Sequence, residues 1–120
     1  MPLPEGLGTA KPLGYFFDHL DELPPSGWLY IRADTDQIKL VTECYPVEVE
    51  SREVSEDEMV AFEKAWHVAG YKSFLCDGQI REIIGNLEDQ RAAHSRADLE
   101  RAIDFYWRHD AFLELGGDVA

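Results

Sequence analysis

Residues 77–115, DGQIREIIGNLEDQRAAHSRADLERAIDFYWRHDAFLEL, hold two amphipathic helical patterns in succession, and a chain with such a pair must supply a surface that covers both. In the first, Ile80, Ile83, Ile84 and Leu87 fall at i, i+3, i+4 and i+7, which gathers four large apolar groups on one side of a 3.6-residue period. The second opens with Ser95 three residues before Asp98. There the hydroxyl can accept from an orphaned N–H while the carboxylate meets the positive end of the helix dipole. From Leu99 the apolar residues run through Ala102, Ile103, Phe105, Tyr106 and Trp107. Neighbours on a helix stand about 100° apart, so three adjacent aromatics predict a helix touched on most sides.

The residues before this pair read as its cover. Tyr15, Phe16, Phe17, Leu20 and Leu23 predict a short helix stopped by Pro24 and Pro25, because proline lacks an N–H and bars its predecessor from the helical region. Trp28 to Ile31 is an aromatic and β-branched run that favours a strand. Asp34, Thr35, Asp36 and Gln37 supply turn chemistry, and Ile38 to Thr42 is expected to return as the second strand of a hairpin. After Pro46, Val47 and Val49 alternate with Glu48 and Glu50, the pattern of a strand with one wet, acidic face. Ser55-Glu56-Asp57-Glu58 is a capping box, followed at helical spacing by Met59, Phe62, Trp66 and Ala69, with Gly70 as the stop. Tyr71 to Cys76 is a short extended run, and Asp77 caps the next helix. Residues 1–12, with three prolines and two glycines, read as a loose arm. The expectation is one α+β domain over 13–115, with a tail at 116–120. About four helices would lie against one face of a small, mainly antiparallel sheet of three to four strands.

A chain of 120 residues is long enough for a real core without disulfides or a metal, and Cys44 and Cys76 are too few for a disulfide framework. They suit a reducing cytoplasm, and neither an export signal nor an uncharged apolar span of membrane length is visible. Charge is the strongest global signal: 24 acids against 11 Lys and Arg leave −13. Between Glu43 and Glu63 stand eight carboxylates with Arg52 as their only base. A field of that sign repels phosphate backbones and anionic lipid and draws basic macromolecules inward, so neither nucleic acid nor membrane is expected as a partner.

Candidate chemistry is sparse. His19, His67, His94 and His109 include no i, i+4 pair and have no cysteine placed to complete a metal site. Asp34 and Asp36 have a spacing found in cation loops but lack the glycine and the distant glutamate of a calcium loop. No glycine loop that would cradle a phosphate is present, and no cofactor is expected. Cys76, beside Asp77 at a helix start, is the best nucleophile candidate, and with His109 or a carboxylate pair it defines an alternative reading as a small hydrolase or transferase. Asn86 flanks the apolar stripe and is expected to tie helix to loop, while Trp28, Trp66 and Trp107 are expected in the core, with a partly exposed anchor at Trp107 as the other reading.

The run Ile83-Ile84-Gly85-Asn86-Leu87-x-x-Gln90, then Asp98-Leu99-x-x-Ala102-x-x-Phe105-Tyr106-x-x-x-Asp110-Ala111-Phe112, resembles a family of small uncharacterised bacterial proteins. That family carries an Asn-x-x-x-Gln helix and a Tyr-x-x-x-Asp-Ala-Phe ending. Leu23-Pro24-x-x-Gly27-Trp28-Leu29-Tyr30 is similar to its opening strand. The resemblance implies the company of polymorphic or contact-dependent toxins, with proteins of this size and acidity serving as their cognate immunity proteins. It transfers no catalytic residue.

A toxin nuclease must be basic to bind its substrate, and an inhibitor that offers carboxylates where phosphates would sit gains both speed and discrimination. The acids expected to serve are Glu48, Glu50, Glu53, Glu56 and Asp57, joined by Asp34 and Asp36 if the hairpin tip lies on the same side. The sequence therefore points to a non-enzymatic module for a basic protein partner, most simply the C-terminal toxin domain of a secreted effector. A housekeeping adaptor with an acidic surface is a further alternative.

Overall fold

The computed structural model describes residues 3–23, 27–49, 53–90 and 95–114. Four strands, β1 (Lys11–Pro12), β2 (Trp28–Arg32), β3 (Glu43–Pro46) and β4 (Tyr71–Cys76), form an antiparallel sheet in the order β1-β3-β2-β4. Four helices accompany it: α1 (Leu13–Asp18), α2 (Glu56–Val68), α3 (Asp77–Gln90) and α4 (Arg96–His109), with a 3-10 turn at Leu20–Glu22. The fold is α+β, as expected.

Strand alternation splits the core into two. Leu29 and Ile31 of β2 and Cys44 of β3 point to one face, where Ile80, Ile83 and Leu87 of α3 and Leu99, Ala102 and Ile103 of α4 bury them together with Leu13 and Phe16 of α1. Tyr30 and Tyr45, the intervening residues, point to the other face and meet Tyr71, Val47 and the fully buried Trp66 of α2. The helices thus cover both faces rather than the one expected from sequence, because α2 carries its own apolar stripe of Met59, Phe62 and Trp66 and takes the tyrosine face. In β4 the register to β2 slips between Trp28 and Tyr30, so that Phe74 and Leu75 together oppose Leu29. That bulge explains why two neighbours of one strand enter the same core.

Both capping boxes form. Ser55 Oγ accepts from the Glu58 amide at 3.1 Å while Glu58 Oε1 accepts from the Ser55 amide, and Ser95 with Asp98 repeats the exchange at the start of α4. The three aromatics of α4 each find a different neighbour: Phe105 packs on His109, Tyr106 on Phe112 and Trp107 on Phe74.

Two further expectations are revised. Ile38 to Thr42 is no strand; the hairpin partner of β2 is Glu43–Pro46. Ile38 is buried, but the amides of Ile38 and Leu40 donate to Asp104 Oδ1 and Glu100 Oε2 of α4, so side chains stand where a ladder would have been. The segment read as a loose arm is held along β3: Leu7 is buried and bridges Val47, Gly8 N–H donates to Pro46 O, and Trp66 Nε1–H donates to Glu5 O at 2.7 Å. Val47 is bonded on both sides in this way, through Leu7 and through its own N–H to Trp28 O, although the alternating run around it extends into no longer strand.

Candidate protein-binding surface

The ion pairs among the described residues are confined to one side of the sheet. Arg96 meets Asp18 at 3.0 Å, Arg108 meets Asp104 at 2.9 Å, and Arg81–Asp77, Arg101–Asp98 and Lys11–Glu22 lie at 3.8 to 3.9 Å, all among β1, α1, the 3-10 turn, α3 and α4. On the α2 side, Glu53, Glu56, Asp57 and Glu63 are exposed, and none of them is ion-paired among the described residues. Glu58 is spent on its capping box, whose hydrogen bonds from Ser55 hold its carboxyl below the ordinary range. Lys64 is the base of this helix. The overall −13 is therefore unevenly compensated: Asp77, Asp98 and Asp104 of the α3 and α4 layer have ion pairs while Glu82, Glu88 and Asp89 there have none, and along α2 no carboxylate has one among the described residues.

The seven acids expected from sequence do not form one surface. Glu53, Glu56 and Asp57 come together at the start of α2. Glu48 is exposed beside Gly8, and alternation turns it away from Val47 and Val49. Glu50 lies outside the described residues. Asp34 and Asp36 belong to the other end: Ala33 N–H donates to the Gly70 carbonyl just past the end of α2, and a 13-residue helix separates its ends by about 18 Å. Cations also surround that hairpin tip, since Lys72 Nζ donates to Thr35 O at 2.9 Å and the Arg108 guanidinium donates to Asp36 O.

Trp107 packs against the core as expected from sequence, and Trp28 does not. Trp28 is 42% exposed, whereas Trp107 is half-buried with Lys72 and Arg108 over its ring. The missed signal is position, because Trp28 is the first residue of β2, where the sheet has run out of cover.

Residues for the alternative chemistry are kept apart. Cys76 is half-buried and paired with Trp28, while His109 follows Arg108, which reaches the hairpin tip beyond the Arg32 end of β2. The length of β4 alone, about 16 Å, lies between those two ends. His109 lines a groove of about 280 Å³ with Arg101, Asp104, Phe105, Arg108 and Leu113, but Asp104 is occupied by the Ile38 amide and by Arg108. Among the described residues, no group of three His, Cys, Asp or Glu is gathered to hold a metal ion, and no helix is long and apolar enough to cross a membrane.

The residues that carry the family resemblance form a latch. Gln90 Nε2 donates to Asn86 Oδ1 at 2.6 Å and to Leu113 O at 2.8 Å, which ties α3 to the segment after α4. Asp110 ends α4 in the left-handed conformation with its N–H on Tyr106 O, and this turn brings Phe112 back to 5.4 Å from the Tyr106 ring. Asn86 and Gln90 thus tie helix to loop, in agreement with the sequence expectation, and the motif marks architecture rather than a reacting site. No curated protein and no solved structure matches the chain. The family described as Domain of unknown function (DUF7716) matches residues 11–115, and the chain belongs to it.

Proposed function

We propose that this chain is a protein-binding module that captures a basic protein through the α2 side of its sheet, in the manner of an immunity protein that occludes a nuclease toxin. The observation that carries the reading is the placement of the ion pairs: Glu82, Glu88 and Asp89 of α3 also stand exposed without one, but every ion pair among the described residues lies off the α2 side, where Glu53, Glu56, Asp57 and Glu63 are exposed and have none. Carboxylates held on a capped helix present a fixed negative field. Such a field speeds encounter with a cationic surface and disfavours competing acidic ones. Asp34 and Asp36 drop out of the surface, because they stand at the opposite end among Lys72 and Arg108.

The test is capture of interacting proteins from the native cell, followed by purification of the captured partner, a salt series and an assay of its nuclease activity. Recovery of a basic nuclease that is inhibited by the chain, with association slowing steeply as salt rises, supports the proposal. A partner of acidic surface, or capture indifferent to ionic strength, overturns it. So does turnover of a substrate by the chain itself.

A further inference from the structure

We infer that Trp28 is the anchor of this capture surface, taking a lysine or arginine side chain of the basic partner against the face of its ring. The inference rests on the function proposed above and adds the recognition chemistry at one residue.

The other aromatic rings near this molecule's cations already hold them. Lys11 lies 4.2 Å from the Tyr15 ring centre, Arg32 5.0 Å from Tyr71, and Lys72 and Arg108 4.9 and 5.7 Å from Trp107. Trp66 is fully buried. Trp28 is the exposed tryptophan, and among the described residues no cation lies over its ring.

Its placement supplies the charge. Alternation along β2 puts Trp28 on the Tyr30 face, which α2 covers, about 7 Å from Tyr30 along the strand. Tyr30 meets Trp66 of α2 at 5.0 Å, and the hydroxyl of Tyr30 feels the carboxylate of Glu63, which adds to burial in raising its pKa. An indole face with no cation over it among the described residues therefore lies on the sheet face that α2 covers, where Glu53, Glu56, Asp57 and Glu63 have no ion pair among those residues. An ammonium or guanidinium from outside gains from both the ring quadrupole and the field. An aromatic anchor surrounded by charge also fits how interfaces divide labour, with buried rings setting dissociation and rim charges setting association.

An oligo-arginine peptide, with a Gly/Ser peptide of equal length as control, is titrated into the full chain at several salt concentrations while tryptophan emission is followed. Trp28→Ala and Trp28→Phe are compared with the double variant Glu56→Gln, Asp57→Asn, and thermal unfolding confirms that each is folded. The expected result is that Trp28→Ala weakens oligo-arginine binding about fivefold with the salt dependence unchanged, Trp28→Phe recovers part of the loss, and the emission change on binding disappears in both. The double variant weakens binding and flattens the salt dependence. If Trp28→Ala binds as tightly as the wild type while the double variant is weakened, the anchor is wrong and the charged surface stands. If the double variant binds like the wild type and the control peptide binds as well as oligo-arginine, the charged surface itself fails, and the anchor with it.

Discussion

The backbone amide of Ile38 donates to Oδ1 of Asp104 at 3.0 Å across 66 residues of sequence, and two residues on the Leu40 amide donates to Glu100 at 2.7 Å. Helix α4 thereby holds the segment that links β2 to β3, and its carboxylates do for that segment what a neighbouring strand would have done. Replacing Asp104 by alanine strands a partly buried N–H, which costs about 1 to 3 kcal/mol. Asp104→Asn keeps an acceptor and is expected to cost less. Urea unfolding of the two variants checks the order. Equal stability of Asp104→Ala and wild type would show that the bond carries no weight.

The N-terminal segment is held by a second long-range bond, from Trp66 Nε1–H to Glu5 O. Gly6 beside it has φ +94°, and a side chain there would come within 2.7 Å of Val49 and 2.8 Å of Trp66. Gly6→Ala is therefore strained in backbone and in space, and a loss of about 1 to 3 kcal/mol is expected. Hydrogen exchange at Gly8 and Glu48, whose amides donate across this junction, is the specific readout. Both should exchange faster in Gly6→Ala than in the wild type, while the α3 core stays protected.

The two cysteines should separate chemically. Cys44 is fully buried, and that burial pushes its thiol from 9.0 up to about 12. A raised pKa means that folding favours the protonated thiol, so this contribution to stability is complete below pH 9 and is lost as the pH climbs from 9 towards about 12. At mildly alkaline pH iodoacetamide should label Cys76, which is half-buried, and leave Cys44 untouched until the chain unfolds. Equal labelling of both in the folded protein would contradict the buried position of β3.

Strong acid should undo the capping box at the start of α2. Glu58 has its carboxyl lowered by the hydrogen bonds from Ser55, so the contribution of the box is complete above the ordinary value of 4.5 and fades as the pH falls below it. NMR shifts of residues 55–58 should follow a titration whose midpoint differs from the ordinary 4.5 by lying below it. Ser55→Ala should abolish that difference.

Much of the scaffold is legible from local rules, because the interactions behind it are local. Ser55 with Glu58, Ser95 with Asp98, the Ile80 to Leu87 stripe and the stop at Gly70 each depend on residues within one or two turns, and all stand as read. What sequence could not give depends on distant partners. Ile38 to Thr42 has strand composition, but Asp104 and Glu100 lie sixty residues and more away and take its amides. Residues 3–12 look loose until Pro46 and Trp66 are placed beside them. In the same way, counting acids found the excess at Glu53, Glu56 and Asp57 but not that Lys72 and Arg108 surround the Asp34 and Asp36 turn, nor that Trp28 rather than Trp107 is left open.

The most direct test of the central claim is the association rate with the purified basic partner across ionic strength, for the wild type, for Glu53→Gln, Glu56→Gln, Asp57→Asn combined, and for Asp18→Asn, Asp98→Asn combined as a control on the opposite side. Capture through the α2 side predicts that the triple variant associates about tenfold or more slowly at low salt and loses most of its salt dependence, while the control keeps the wild-type rate and slope. Rates that fall equally in both variants, or in neither, would contradict it.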